Sequence, residues 1–104
     1  MKTIKVKDIT NGTFTNEDGL SVYNAIDSAI SEKDSIILSF EGITSLSSSF
    51  LNSSFGEIIE KFGFDFLKNK IKITKYTPQL SILIMNYIKS YSKTEITKSK
   101  NNIA

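Results

Sequence analysis

Ser47, Ser48 and Ser49 run consecutively and are followed directly by Phe50 and Leu51. A serine hydroxyl both donates and accepts hydrogen bonds. It is also a preferred helix N-cap, because its oxygen can take an orphan N–H of the first turn. A helix start of this kind carries free N–H groups and the positive end of the helix dipole, so it mildly attracts anions. Asn52 and Ser53 extend the run of small polar groups. The corner can cap a helix and fill a tight turn, present hydroxyls to a partner, or hold an anion. The other candidate group is Glu41, at the end of an apolar run where α/β sites gather. Spacing places no second carboxylate, nucleophile or base beside it. It reads as a solvated loop acid, and no catalytic residue is assigned.

The residue types that are missing narrow the chemistry further. There is no His and no Cys. Ser-His-Asp catalysis, thiol nucleophiles, and imidazole or thiolate metal sites are therefore excluded. All 13 basic residues are lysine, so the chain supplies no arginine finger and no bidentate phosphate clamp. It also lacks a glycine-rich phosphate loop. No cofactor or metal is expected. A net charge of +2, with lysines spread along the chain, does not argue for nucleic acid. No apolar run is long enough to span a bilayer. The segment MKTIKVKDIT lacks the apolar centre of a signal peptide, so a cytoplasmic location is expected.

The elements that must position the serines follow from periodicity. Ile36, Ile37, Leu38 and Phe40 form a nearly continuous apolar run, which suits a strand covered on both faces. Glu41 and Gly42 end it. Phe50, Leu51, Phe55, Ile58, Ile59 and Phe62 recur at helical spacing, and Gly63 is placed to cap that helix. Upstream, Thr3 to Lys7 alternates as a strand with one wet face. Asn11-Gly12 signals a turn, and Thr13 to Thr15 reads as a short return strand of a hairpin. A helix of roughly 14 residues should open near Asn16, capped by Asn16 or Asp18. Its buried stripe runs through Leu20, Val22, Tyr23, Ile26, Ala29 and Ile30. Phe64 to Leu67 suggests a half-turn. Lys70 to Lys75 alternates as another strand, with lysines discouraging edge pairing.

Thr77-Pro78 starts the last helix, with proline where its missing N–H is not needed. Leu80, Leu83, Ile84, Tyr87, Ile88 and Tyr91 share one face. Ile82 and Met85 point away from it, which suggests a contact with another chain, a homodimer included, or a shallow crevice. One domain over residues 1–91 is expected, with a polar, flexible tail over 92–104. The alternation of elements argues for an α/β layer with helices on a mostly parallel or mixed sheet of about four strands and three helices.

The segment ILSFEGITSLSSSFL resembles the signature of STAS domains, named for sulfate transporters and anti-sigma-factor antagonists. More closely it resembles a bacterial STAS-like family of unknown function. In that family a strand ending Asp-Phe leads through Gly and Val or Ile to a serine-rich helix start and a Phe. The positions here are Ser39-Phe40, Gly42-Ile43 and Ser47-Ser48-Ser49-Phe50. Glu17-Asp18-Gly19 resembles the start of that family's first helix, and the likeness spans most of residues 3–90. In anti-sigma-factor antagonists the corner carries Asp-Ser-Ser-Gly, where a partner kinase phosphorylates a serine and so breaks partner binding. That serine falls on Ser48, with Ser47 in the Asp position and Phe50 in the Gly position. Ser39 also replaces the acidic residue of the STAS-like family.

The resemblance implies a non-catalytic regulatory module that binds a protein, with Ser48 as the place for phosphate control. The expected surface is Ser47, Ser48, Ser49, Asn52 and Ser53. By analogy of fold the partner would be a kinase-like ATPase. No nucleic-acid or membrane partner is expected. The competing reading is a small-ligand or nucleotide-binding domain that uses the same helix N-terminus.

Overall fold

Two short parallel pairings build the sheet in the computed structural model of the protein. The structure describes the backbone of residues 2–30 and 35–103, and the side chains of that set as far as Tyr91. Strand β1 (Lys2–Lys5) runs into a single helical turn, α1 (Val6–Ile9). Helix α2 (Asn16–Ala29) and strand β2 (Ile36–Ser39) follow. A long helix then comprises α3 (Ser48–Leu51), a π turn (Asn52–Gly56) and α4 (Glu57–Phe62). Next come α5 (Phe64–Lys70), β3 (Ile71–Thr74) and α6 (Pro78–Ile103). The flexible tail expected at 92–104 concerns residues whose side chains lie outside the described set.

The sheet order is β1-β2-β3, and both pairs are parallel. It has three strands, not about four, because the expected hairpin does not form. Val6 is fully buried within α1, so the Ile4/Val6 alternation is shared between a strand end and a helical turn. Thr13 does not return as a strand either. Its hydroxyl donates to the Ser45 carbonyl at 2.7 Å, and its own carbonyl accepts from the Ser47 N–H at 3.1 Å. Those two bonds pin the loop that leads to the serines.

Ile4, Ile36, Leu38 and Ile71 share one core with Val22 and Ile26 of α2, Phe50, Phe55 and Ile58 of the long helix, and Leu80 and Ile84 of α6. All the helices that contribute to it therefore lie on one face of the sheet. Ile37, expected to be covered like its neighbours, is half-buried and takes no part in that cluster. A central strand of continuous apolar residues usually means two covered faces; among the described residues this core occupies only one.

Helix α2 has the expected length, but Thr15 caps it, accepting from the Asp18 N–H at 3.1 Å. Leu20 is exposed, and the buried row is Gly19, Val22 and Ile26. Gly19 sets that rotation, since a Cβ there would lie 2.4 Å from the Phe50 carbonyl oxygen. The expected half-turn after Gly63 is the full helix α5, where Phe66 stacks on Phe62 at 4.6 Å. In α6, Thr77 accepts from the Leu80 N–H at 3.1 Å, as the Thr-Pro start requires. Leu83 is not buried with its stripe but partly exposed.

The long helix is not a uniform α-helix. Ser54, Phe55 and Gly56 are all buried, three consecutive positions that one helix face could not hide. Helix α2 covers one flank through Gly19, and α6 covers another, where Tyr87 meets Gly56. The buried Ser54 hydroxyl donates to the Phe50 carbonyl at 2.7 Å, a back-bond that bends helices and here accompanies the π turn.

The Tyr87 hydroxyl is buried with no hydrogen-bond partner among the described residues. Burial first, then Glu57 and Glu60, raises its pKa above the ordinary 10.0. The folded state thus favours the neutral phenol. That contribution is complete below the unfolded pKa and is lost as pH rises through the higher folded value. Tyr87→Phe removes an unpaired polar group, so the variant is expected to be at least as stable as the parent at neutral pH. It should also lose less stability above pH 10.0. Urea melts across alkaline pH check this, and equal losses in both proteins would contradict it.

Candidate functional site

The chain leaves β2 at Phe40 and turns at Gly42, whose φ of 81° lies in the left-handed region where glycine carries no side-chain penalty. The Ile43 N–H closes this turn on the Phe40 carbonyl at 2.9 Å. Leu46 anchors the far end of the loop in the core, and Ser47 opens the long helix. The Ser47 hydroxyl accepts from the Phe50 N–H at 3.1 Å and donates to the Phe14 carbonyl at 2.6 Å. It is therefore committed to the fold twice over. Ser48 and Ser49, one residue further on, are exposed in the first helical turn.

Asn52 is exposed on the same helix, and Ser53 is half-buried, its hydroxyl donating to Asn16 Oδ1 at 3.1 Å. All five serine and asparagine candidates thus belong to one helix end, but only Ser48, Ser49 and Asn52 offer open side chains. Phe14, 59% exposed, joins them through its bond to Ser47. Sequence reasoning missed Phe14, because Thr13 to Thr15 read as strand.

Ile82 and Met85 are 60% and 51% exposed, as their helical phase predicts. Ile82 borders an open cleft with Thr44, Ser45, Gln79 and Leu83, beside the serine loop. Met85 borders a second one with Ile73, Tyr76, Ser81 and Ile84, beside β3. Phe14 is tied to the start of the serine tip, and the Ile82 cleft includes Thr44 and Ser45 of the loop that leads into it.

Glu41 points away from the tip and accepts Lys7 at 3.5 Å and Lys5 at 3.8 Å. Lys61 pairs with Asp27 at 3.0 Å, tying α4 to α2; hydrogen bonds to Asp27 and then Tyr23 raise its pKa. Among the described residues no three acidic groups converge as a metal site would require. No helix among them is long and apolar enough to cross a membrane.

A parallel α/β sheet whose central strand leads through a glycine turn to a serine-started helix defines a STAS-like domain. The family model described as STAS-like domain of unknown function (DUF4325) matches residues 18–80, and the chain belongs to that family. No curated protein and no solved structure matches it.

Proposed function

We propose that this domain is a non-catalytic regulatory module that binds a protein through its serine tip. The observation that carries this reading is the division of labour among the serines. Ser47 is used up as cap and loop tie, while Ser48 and Ser49 project from the helix start. The partner surface is Ser48, Ser49 and Asn52, rimmed by Ser53 and Phe14 and reaching the Ile82 cleft. Met85, which lines the cleft beside β3, would serve a homodimer instead.

Phosphorylation of Ser48 adds about −2 charge at a dipole-positive helix end. The domain itself tolerates that charge, and a closely packed or acidic partner does not. The position of Ser48 in the resemblance to anti-sigma-factor antagonists supports a kinase-like ATPase as the partner, in the cytoplasm of a bacterium. This step is analogy of fold.

The test is affinity capture with the parent protein, Ser48→Asp and Ser48→Ala. A specific partner should be retained by the parent and by Ser48→Ala, and be lost by roughly ten-fold or more with Ser48→Asp. Equal capture by all three would refute the assignment. A rise in melting temperature with one nucleotide, in the absence of any partner, would favour the ligand-binding reading of the same tip.

A further inference from the structure

The sheet has a second face, opposite the one that packs on the core. Parallel sheets are normally covered on both faces, usually by helices. Here the core occupies one face only. On the other, the strand register aligns Thr3, Ile37 and Lys72 in one row and Lys5, Ser39 and Thr74 in the next. Thr3, Lys5 and Lys72 are exposed, whereas Ser39, at the centre of the second row, is buried. Ile37 sits half-buried at the centre, forming the floor of a shallow basin bordered by Ser35, Lys68, Lys70 and Lys72. Neither row contains an acid, and among the described residues Glu41, just past β2, is held by Lys5 and Lys7.

We infer that this face docks an acidic amphipathic helix of a partner protein, with an apolar side chain on Ile37 and carboxylates on Lys70 and Lys72. Charge complementarity selects this occupant. A second copy of the chain would bring the same lysines and repel. The chain's own end carries Lys93, Lys98 and Lys100, so it too is mismatched. Single-stranded nucleic acid binds through aromatic stacking and arginine as well as charge, and these rows contain neither. A helix with a narrow apolar stripe fits a floor of one isoleucine, because the lysine stems supply apolar walls while their ammonium groups reach outward. This surface is independent of the serine tip, which belongs to a helix on the covered side.

The test is an amide-shift titration of the full chain with a helical peptide of about 20 residues, enough for a stable helix, made of Glu, Ala and Leu with one leucine stripe. The same peptide with Lys for Glu and an oligothymidylate of matching charge are the comparisons. Saturable shifts should centre on Thr3, Ile37 and Lys72. They should weaken by about ten-fold in the Lys70→Glu, Lys72→Glu double variant and vanish with the lysine peptide. Ser48→Asp should leave them unchanged, which separates this face from the tip. Shifts located elsewhere, no shifts at all, affinity unaltered by the double variant, or tighter binding of the oligothymidylate would each overturn the inference. The exposed lysines make loss of folding a minor concern, and the spectrum of the double variant shows it directly.

Discussion

Gly19→Ala is expected to destabilise the protein by about 2 kcal/mol, although alanine is the better helix former. The two effects oppose each other. Replacing an interior helical glycine with alanine gains about 1 kcal/mol of propensity. A Cβ at position 19, however, would meet the Phe50 carbonyl oxygen at 2.4 Å and the Ser53 Cβ at 2.7 Å. The first contact is backbone, so no side-chain rotation relieves it, and overpacking of this kind costs about 3 kcal/mol at the upper end of its usual range. The net loss corresponds to a fall in melting temperature of roughly 8–16 °C for a domain of this size. Calorimetry or thermal circular dichroism decides the sign. An unchanged or higher melting temperature would mean that α2 does not lie this close to the start of the long helix. The same contact holds the serine tip in place against α2, so partner capture should weaken along with stability.

The sequence revealed more of the elements than of their environment. Ile36 to Phe40, the stripe from Phe50 to Phe62 and the Thr77-Pro78 start are all local patterns, and local patterns record which side chains are hidden. They do not record what hides them. Ile37 shows this: an apolar run looks the same whether one face of a strand is covered or two. Thr13 shows it differently, since β-branched residues after Asn-Gly imitate a strand. Only the distant Ser45 and Ser47 decide that Thr13 anchors a loop. The π turn was invisible for a related reason. Gly19 and Tyr87 approach the helix there on two flanks, and neither is near it in the chain. At the candidate site the cap chemistry of the serines was readable, because capping is a short-range interaction. The exposure of Phe14 is a tertiary fact with no counterpart in spacing.

Phe55→Ala and Phe14→Ala should divide stability from binding. Phe55 is fully buried within the π turn and meets the Phe40 ring edge-on at 6.5 Å between centroids. Truncating a phenylalanine in such a place removes its transfer energy and leaves a cavity, a loss of about 3–5 kcal/mol. Domains of this size have roughly 5–15 kcal/mol in total, so the variant should be close to unfolding under mild denaturant. The buried ring belongs to the close-packed core shared by the sheet and helices, where neighbours collapse poorly into a void. Phe14 is 59% exposed, and its contribution to the fold is the backbone carbonyl that accepts from Ser47. Alanine keeps that carbonyl, so the stability change should stay within about 0.5 kcal/mol. Its ring, though, is exposed on a residue whose carbonyl is tied to Ser47, and exposed aromatic anchors often dominate interface energies. Urea denaturation of both variants, with partner capture by Phe14→Ala, tests the division. Stable Phe14→Ala that still binds fully would remove the ring from the interface and confine recognition to the polar side chains of Ser48, Ser49 and Asn52.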